Sequence, residues 1–186
     1  MQEKIEIKKH IERPITKNVF LLEFSLNIED CKDKLIKLIN DSVNSQINNN
    51  YQTNVKGKMT PWAYFVNNEH FNKIMQKVVK KMSDLKIKPN TKFVIDEAWG
   101  IKLEGDEHTD THNHEEAFFS GILYLSDSDQ LLNFPQLNID IRPTVGSVVI
   151  FSGDLEHQTK NHVLKEPKYA IPFNVFKISN YVNLPR

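Results

Sequence analysis

The chain has 186 residues, 39% of them hydrophobic and 26% charged, which is typical of one domain with its own apolar core. The 24 basic and 24 acidic residues give a formal net charge of +0, which argues against nucleic-acid binding. A single cysteine, Cys31, excludes an internal disulfide framework and a cysteine-rich zinc site, and it favours a cytoplasmic location. Residues 1–14 mix charges with single aliphatics, so the sequence predicts neither a signal peptide nor a membrane span.

Two helices are predicted in the first half, because apolar residues recur there every three or four positions. The first covers residues 28–43, and the second covers 69–85 with Asn67 or Asn68 as its N-terminal cap. Between them, residues 44–60 are polar and include three consecutive asparagines, which predicts a long loop.

The second half has the pattern of short β-strands, with Val, Ile, Phe and Tyr between turn-forming residues. Pro172 falls inside the last of them, which predicts a sheet edge or a bulge. We therefore expect one mainly β domain over 1–186, in which a helical region 1–90 supports an antiparallel β core over 91–180. The predicted strands are 93–103, 118–125, 137–141, 147–151 and 169–178.

Residue types that bind metals concentrate in residues 105–116, which read GDEHTDTHNHEE. If this segment is extended, every second side chain points to the same face. Alternate residues then start about 7 Å apart, so only one neighbouring pair can close around a single ion. A third ligand must come from elsewhere, and His157, just after the predicted strand 147–151, is the candidate. The face with potential ligands consists of His108, Asp110, His112, His114 and Glu116.

Imidazole and carboxylate ligands without thiolate suit Fe(II), Mn(II), Co(II) or Zn(II). A face of three ligands leaves positions open for substrate or dioxygen, whereas a structural zinc is normally closed by four protein ligands. The alternative is an ordinary solvated loop, because the same clustering of polar residues also occurs in loops without metal.

Five short segments of the second half stand out by their order and spacing within about residues 99–176. They are His112-Asn113-His114, SGILYL at 120–125, PTVGSVVIF at 143–151, LEH at 155–157 and KYAIPFN at 168–174. Together they resemble a family of 2-oxoglutarate- and Fe(II)-dependent oxygenases that is common in marine bacteria and large tailed phages. The resemblance implies a double-stranded β-helix, a jelly-roll and cupin-like fold in which two antiparallel sheets enclose an iron at one end.

Carried over residue by residue, the family pattern places the metal ligands at His112, His114 and His157. The wider superfamily usually has Asp or Glu at the second of these positions, so His114 is a departure. The family commonly has an arginine after the distal histidine that pairs with the far carboxylate of 2-oxoglutarate. Lys168 takes that place here, and Tyr124 is a second candidate contact to the same carboxylate.

Several readings of these residues stay open at this point. Asp110 in His108-Thr109-Asp110 and Glu116 in His114-Glu115-Glu116 also match an H-x-D/E pattern, so either carboxylate could replace one imidazole. Lys168 could instead be a solvated lysine at a strand end, and Tyr124 a packed core residue.

The resemblance implies a hydroxylase that acts on a small molecule or a protein side chain, in the cytoplasm of a cell or of a phage-infected host. One alternative is a cupin-type metal enzyme that does not use 2-oxoglutarate. Others are a non-catalytic metal- or ligand-binding barrel and a structural or regulatory phage protein with an incidental histidine-rich loop. Trp99 is predicted to line the barrel and Trp62 to pack against a helix. His10 and His70 are expected to be surface groups, and His162 is expected to be a loop residue, with a place in the pocket lining as its alternative.

Overall fold

The computed structural model describes residues 18–45, 53–84, 92–160 and 162–178. These residues form two helices and ten strands. In chain order they are β1 (Leu21–Ser25), α1 (Lys32–Asn44), β2 (Lys58–Met59), α2 (Glu69–Asp84), β3 (Lys92–Ala98), β4 (Ile101–Gly105), β5 (Phe119–Tyr124), β6 (Leu132–Phe134), β7 (Ile139–Ile141), β8 (Ser147–Ser152), β9 (Gln158–Thr159) and β10 (Leu164–Ile178).

The strands form two antiparallel sheets. The larger has the order β1-β8-β5-β10-β4-β2, with β3 also paired to β10, and the smaller has the order β7-β6-β9. The mainly β architecture with helices on one side, predicted from the sequence, is confirmed.

Period-two alternation in the central strands creates a separate core on each face of the large sheet. On β8, Val148 and Ile150 pack into the core shared with the helices. Val149 and Phe151, which point the other way, belong to a second core between the two sheets. The second core surrounds the cavity described below.

The two helices cover the first face of the large sheet and match their predicted positions closely. Leu35 and Ile39 of α1 and Phe71 of α2 are fully buried in the core beneath them. The Asn68 side-chain oxygen accepts hydrogen bonds from the backbone N–H groups of His70 and Phe71, both at 3.0 Å, and so caps α2 as predicted. Within the described ranges, neither helix has the length and apolarity that crossing a membrane requires.

Several strands were not predicted. β1 and β2 lie in the region predicted to be helical, so that region also contributes to the large sheet. The segment predicted as one strand over 93–103 is two strands, separated at Trp99 and Gly100. A Cβ atom on Gly100 would lie 2.4 Å from the side chain of Ile39, so the glycine allows α1 to pack closely at this break.

The expectation that Pro172 marks an edge or a bulge is wrong. Its strand, β10, is an interior strand, and Pro172 pairs with Ile122 of β5. On the other side of β10, the neighbouring strand changes. β4 pairs with β10 as far as Ala170, and β3 pairs with it from Phe173 onward. The proline therefore lies where the second neighbour is interrupted, and a missing N–H costs no ladder hydrogen bond there.

Candidate metal centre

Three histidines from two separate loops meet at one end of the space between the sheets. His112 and His114 lie between β4 and β5, and His157 lies between β8 and β9. One ring nitrogen of each lies within 4.8 Å of the others. The ring centroids of His112 and His157 are 4.2 Å apart, and that of His114 lies 5.0 Å from the first and 5.3 Å from the second.

Backbone hydrogen bonds fix the two loops against each other. His112 and His157 form an isolated antiparallel bridge, with N–H to carbonyl distances of 3.1 and 2.9 Å. The His114 N–H donates to the Gly153 carbonyl oxygen at 2.7 Å. A Cβ on Gly153 would lie 2.6 Å from the His114 carbonyl oxygen, so only glycine allows this approach. The imidazoles are thus positioned by the main chain and not by side-chain packing alone.

Local carbonyl groups set the orientation of two of the rings. Nδ1 of His112 lies 2.8 Å from the Asp110 carbonyl oxygen, and Nδ1 of His157 lies 3.1 Å from that of Leu155. A carbonyl oxygen can only accept, so each Nδ1 carries the proton and each Nε2 keeps its lone pair. The rings therefore present Nε2 as the ligand atom, and the carbonyl groups act as the outer partners that are usual for metal-binding histidines.

The third imidazole contacts a buried polar network. The Asn174 amide nitrogen lies 3.5 Å from Nδ1 of His114 and donates to the Glu97 carboxylate at 2.6 Å. The Ser120 hydroxyl donates to the Asn174 side-chain oxygen at 2.7 Å. This network links His114 to a carboxylate that does not itself belong to the group of three.

The three imidazoles are neutral near pH 7. Burial lowers the pKa of each below the usual value for histidine, that of His114 to about 4. The neighbouring imidazoles lower the pKa of His157 further, because each charged ring disfavours another. Neutral, closely spaced and partly buried imidazoles have lone pairs available for a cation.

The two candidate carboxylates lie outside this group. The Asp110 carboxylate forms an ion pair with Lys56 at 3.0 Å and lies 3.2 Å from Nε2 of His108, and its side chain is half-exposed. Hydrogen bonding by Lys56 lowers the pKa of the Asp110 carboxyl group. Glu116 is exposed. Among the described residues, the cluster of closely spaced ligand atoms therefore contains imidazole nitrogens only.

A cavity extends from the histidines into the space between the sheets. Lys168 lies six residues before Asn174 on the same strand, and both line the cavity, so the lysine lies away from the histidines along β10. It is 1% exposed, and its amine lies over the ring of Tyr124 at 5.7 Å from the centroid. Burial lowers the pKa of the lysine amine to about 7 and raises that of the Tyr124 hydroxyl group. Both predicted cosubstrate contacts thus line the same cavity as the histidines, along with the side chains of Ile101, Ile122, Leu132, Phe151 and Thr159.

Aromatic residues form one wall near His114. The Trp99 ring lies 6.1 Å from the His114 ring and lines the cavity, as its position before the site predicts. Its indole N–H is the one buried side-chain polar atom of the described residues without a hydrogen-bond partner. Trp62 packs edge-on against Trp99, with the two ring centroids 4.5 Å apart. Its side chain is 38% exposed, so it lies outside this wall.

Two further histidines of the described residues lie apart from the cluster. His70 neighbours Glu69 on α2 at 3.7 Å, and His162 is exposed. His10 falls outside the described residues, as do 1–17 and 46–52 of the predicted N-terminal segment and loop.

Three polar side chains of the site were not predicted as such from the sequence. Asn174 and Ser120 belong to the segments quoted for the family resemblance, and pairing of β5 with β10 places them directly opposite each other. The alternation of inward and outward side chains along both strands could have identified these two residues. Gln130, which contacts Lys168, lies in a turn-rich segment that carries no such signal.

Comparison with known proteins was made by family, by sequence and by fold. No family model matches the chain, and no curated protein matches it in sequence. Solved structures do match. A viral collagen prolyl hydroxylase from Paramecium bursaria Chlorella virus-1, solved with 2-oxoglutarate, has a TM-score of 0.67 and 14% identity over 86% of this chain and 96% of its own.

Two further structures extend the likeness. A prolyl-4-hydroxylase from Pseudomonas putida has a TM-score of 0.63 and 13% identity, over 84% of this chain and 91% of its own. HygX from Streptomyces hygroscopicus, solved with nickel and 2-oxoglutarate, has a TM-score of 0.60 and 12% identity, over 84% of this chain and 82% of its own. The fold is that of the 2-oxoglutarate-dependent oxygenases. The double-stranded β-helix expected from the sequence is therefore confirmed.

Proposed function

We propose that this protein is an Fe(II)- and 2-oxoglutarate-dependent oxygenase that hydroxylates its substrate. One observation carries the proposal. Three neutral imidazoles at one end of a cavity face a buried lysine at the other end, on the fold of proteins solved with nickel and 2-oxoglutarate. A metal at the first end and a carboxylate at the second would satisfy both groups.

The metal end fits Fe(II) in its ligand type and in its openness. His112, His114 and His157 would hold the ion through imidazole nitrogens, which suit Fe(II) and other divalent first-row metals. Three protein ligands leave coordination positions for other molecules. No carboxylate of the described residues joins the group, so the site has one negative charge fewer than a two-histidine, one-carboxylate site. An anionic cosubstrate would supply the missing charge.

The other end fits the distal carboxylate of 2-oxoglutarate. Lys168 is buried, and its hydrogen bonds go to two neutral oxygen atoms of Gln130. A buried ammonium group without a counter-ion is costly, so an incoming carboxylate would be stabilised there. Lysine lacks the two-pronged geometry of arginine, and the neighbouring Tyr124 hydroxyl group would add a donor to the same carboxylate.

The wall of the cavity offers one more donor. The indole N–H of Trp99 has no hydrogen-bond partner among the described residues, and the Trp99 ring lies beside His114 in the wall of the cavity. Leaving a buried donor without a partner costs about 1–3 kcal/mol. An oxygen atom of a bound molecule would remove that cost, which supports an oxygen-rich ligand.

When bound, Fe(II) and 2-oxoglutarate supply the dioxygen chemistry that hydroxylates a C–H bond and yields succinate and carbon dioxide. The protein would bind and orient the metal and the cosubstrate and shield them from water. Lys168 and Tyr124 would fix the cosubstrate at its far end. Apolar side chains such as Phe151, Leu132 and Ile122 would exclude water between the two ends.

The substrate belongs to one of the two classes expected from the sequence, a small molecule or a protein side chain. Structures of similar fold include proteins of both kinds. One was solved with a peptide of a hypoxia-inducible factor, and another with hygromycin B. A cytoplasmic location fits the single cysteine, and phage origin stays a prediction from the sequence resemblance.

A second function is favoured by one observation, the absence of a carboxylate from the histidine group of the described residues. Cupin-type metal enzymes can act without 2-oxoglutarate, and an all-histidine site would suit them. If the protein catalyses no reaction, the same histidine group would make it a non-catalytic metal-binding barrel. These alternatives differ from the proposal in whether 2-oxoglutarate binds and is consumed.

The deciding experiment is anaerobic addition of Fe(II) and then 2-oxoglutarate, followed by visible absorption spectroscopy. We expect a metal-to-ligand charge-transfer band in the wild-type protein and none in His157→Ala. The variant His70→Ala, on helix α2 and outside the histidine group, is the matched control and should keep the band. After admission of oxygen, succinate should form in the wild type.

The possible failures separate the alternatives. Fe(II) binding without a band would favour the cupin-type enzyme. A band without succinate, with a range of candidate substrates present, would favour the non-catalytic barrel. Absence of divalent metal binding would exclude all three metal-dependent functions.

A further inference from the structure

Gln130 is the residue that holds the buried lysine of the cavity. It is fully buried and lies in the segment between β5 and β6. Both of its oxygen atoms accept hydrogen bonds from the Lys168 amine. The backbone carbonyl oxygen lies 3.0 Å from Nζ, and the side-chain oxygen lies 3.2 Å from it.

The orientation of the Gln130 amide is fixed from its other side. Its nitrogen donates to the backbone carbonyl oxygen of Glu107 at 2.9 Å. Because that carbonyl can only accept, the amide cannot rotate by half a turn without losing the bond. The side-chain oxygen must therefore face Lys168. The hydrogen bond joins the lysine to the segment that follows β4, next to the histidine loop.

Neutral acceptors hold the lysine without cancelling its charge. Burial alone accounts for the lowered pKa of Lys168, and no charged group contributes to it. A protonated amine has three N–H donors, and Gln130 takes two of them. The third remains for a ligand in the cavity, beside the ring of Tyr124.

We propose that Gln130 is a positioning and specificity-determining residue, which directs the Lys168 amine into the cavity and makes the site select 2-oxo acids with a second carboxylate. The inference rests on the proposed function, because it concerns the same cosubstrate site. A glutamate here would form an internal ion pair with Lys168 and compete with the distal carboxylate of the ligand.

The test compares two ligands of equal chain length, 2-oxoglutarate and 2-oxopentanoate, which has no second carboxylate. Their dissociation constants are measured anaerobically on the Fe(II)-loaded protein. The variant Gln130→Glu keeps the size of the side chain and introduces the charge. We expect its affinity for 2-oxoglutarate to fall about 10- to 100-fold, the worth of a hydrogen bond to a charged group, with little change for 2-oxopentanoate.

Gln158→Glu is the matched control. Gln158 lines the same cavity, but its side chain bonds to Thr111 at 2.5 Å and to Asn133 at 2.9 Å instead of to the lysine. A general effect of negative charge in the cavity would lower 2-oxoglutarate binding equally in both variants. We expect a clearly larger loss in Gln130→Glu.

A second variant covers the case in which Gln130→Glu does not fold. Gln130→Met retains the bulk and the backbone acceptor but releases the amine from the side chain. We expect a smaller loss of 2-oxoglutarate affinity, again without change for 2-oxopentanoate. Metal binding and the thermal midpoint of each variant are measured alongside.

The outcomes distinguish failure of the proposed function from failure of the inference about Gln130. If the wild-type protein binds Fe(II) but not 2-oxoglutarate, the proposed function fails. If the wild type binds 2-oxoglutarate, but does not prefer it to 2-oxopentanoate, the inference about Gln130 fails. Unchanged affinities in folded Gln130 variants would also overturn it, and the proposed function would survive.

Discussion

His112 and His157 exchange backbone hydrogen bonds in both directions, at 3.1 and 2.9 Å, and their ring centroids lie 4.2 Å apart. The bridge does not involve the imidazoles, so truncating either ring leaves the main-chain contact intact. The histidine group is therefore a place where side chains can be removed without separating the loops that carry them.

Replacing His112 with alanine is expected to weaken Fe(II) binding by more than about 100-fold, since outer partners of metal ligands are themselves worth about 10- to 100-fold. Titration calorimetry under anaerobic conditions measures the effect. The thermal midpoint of the metal-free variant should stay close to that of the wild type.

Two neighbouring variants are the controls for this loss. His108→Ala and Asp110→Asn change the same polar loop, but those two side chains pair with each other at 3.2 Å and lie outside the histidine group. Both should keep wild-type metal affinity. A loss in Asp110→Asn as large as in His112→Ala would make the carboxylate a ligand and contradict the all-histidine site.

Gly153→Ala tests the close approach of the two loops. The added Cβ would lie 2.1 Å from the Ala117 carbonyl oxygen and 2.6 Å from that of His114, and backbone atoms cannot move as a side chain does. Overpacking of this kind costs about 1–3 kcal/mol. We expect a lower thermal midpoint and weaker metal binding, because His114 must shift away from His157.

Gly105 is the control for Gly153, because glycine is favoured there by the backbone conformation and not by a close contact. Gly105 has a φ of +59°, which strains most side chains and asparagine least, and there is open space around its Cβ position. Gly105→Asn should therefore lower the thermal midpoint only slightly and leave metal affinity unchanged. Wild-type metal binding in Gly153→Ala would show that the loops adapt, and that close backbone contact does not position His114.

Asn174→Leu tests the polar network behind His114. The variant removes the contacts to His114, Glu97 and Ser120 while roughly preserving volume. Loss of an outer partner lowers metal affinity by about 10- to 100-fold. Asn133→Leu is the matched control, a buried asparagine that bonds to Asp140 and Gln158. We expect both variants to lose stability and only Asn174→Leu to lose metal affinity, and equal metal affinities would exclude a role for the network.

The sequence predicted the histidine group better than it predicted the strands around it. Alternation placed His112 and His114 on one face, and the position of His157 just after a predicted strand made it the candidate third ligand. The resemblance then pointed to the same three residues. The sequence could not choose between Asp110 and the imidazoles. That choice depends on Lys56, which pairs with Asp110 from a distant part of the chain.

Other features lack a local signal altogether. β2 and β9 have two residues each, too few for a period to be seen, and their pairing is decided by neighbouring strands. Gln130 lies among serines and aspartates that are typical of a turn. Its burial follows from contacts with Glu107 and Lys168, which tertiary structure alone brings together.

The buried lysine predicts how cosubstrate binding depends on pH. Only the protonated amine can pair with the distal carboxylate, and burial lowers the pKa of Lys168 to about 7 in the free protein. Above pH 7 an increasing share of the protein must take up a proton to bind. The dissociation constant for 2-oxoglutarate should therefore rise about tenfold per pH unit between pH 7.5 and 9. Calorimetry on the metal-loaded protein in buffers of different ionisation enthalpy would also show the proton uptake.

2-Oxopentanoate is the control, since a ligand without a distal carboxylate should show neither this slope nor the uptake. Equal slopes for the two ligands would place the titrating group elsewhere and remove Lys168 from the cosubstrate site.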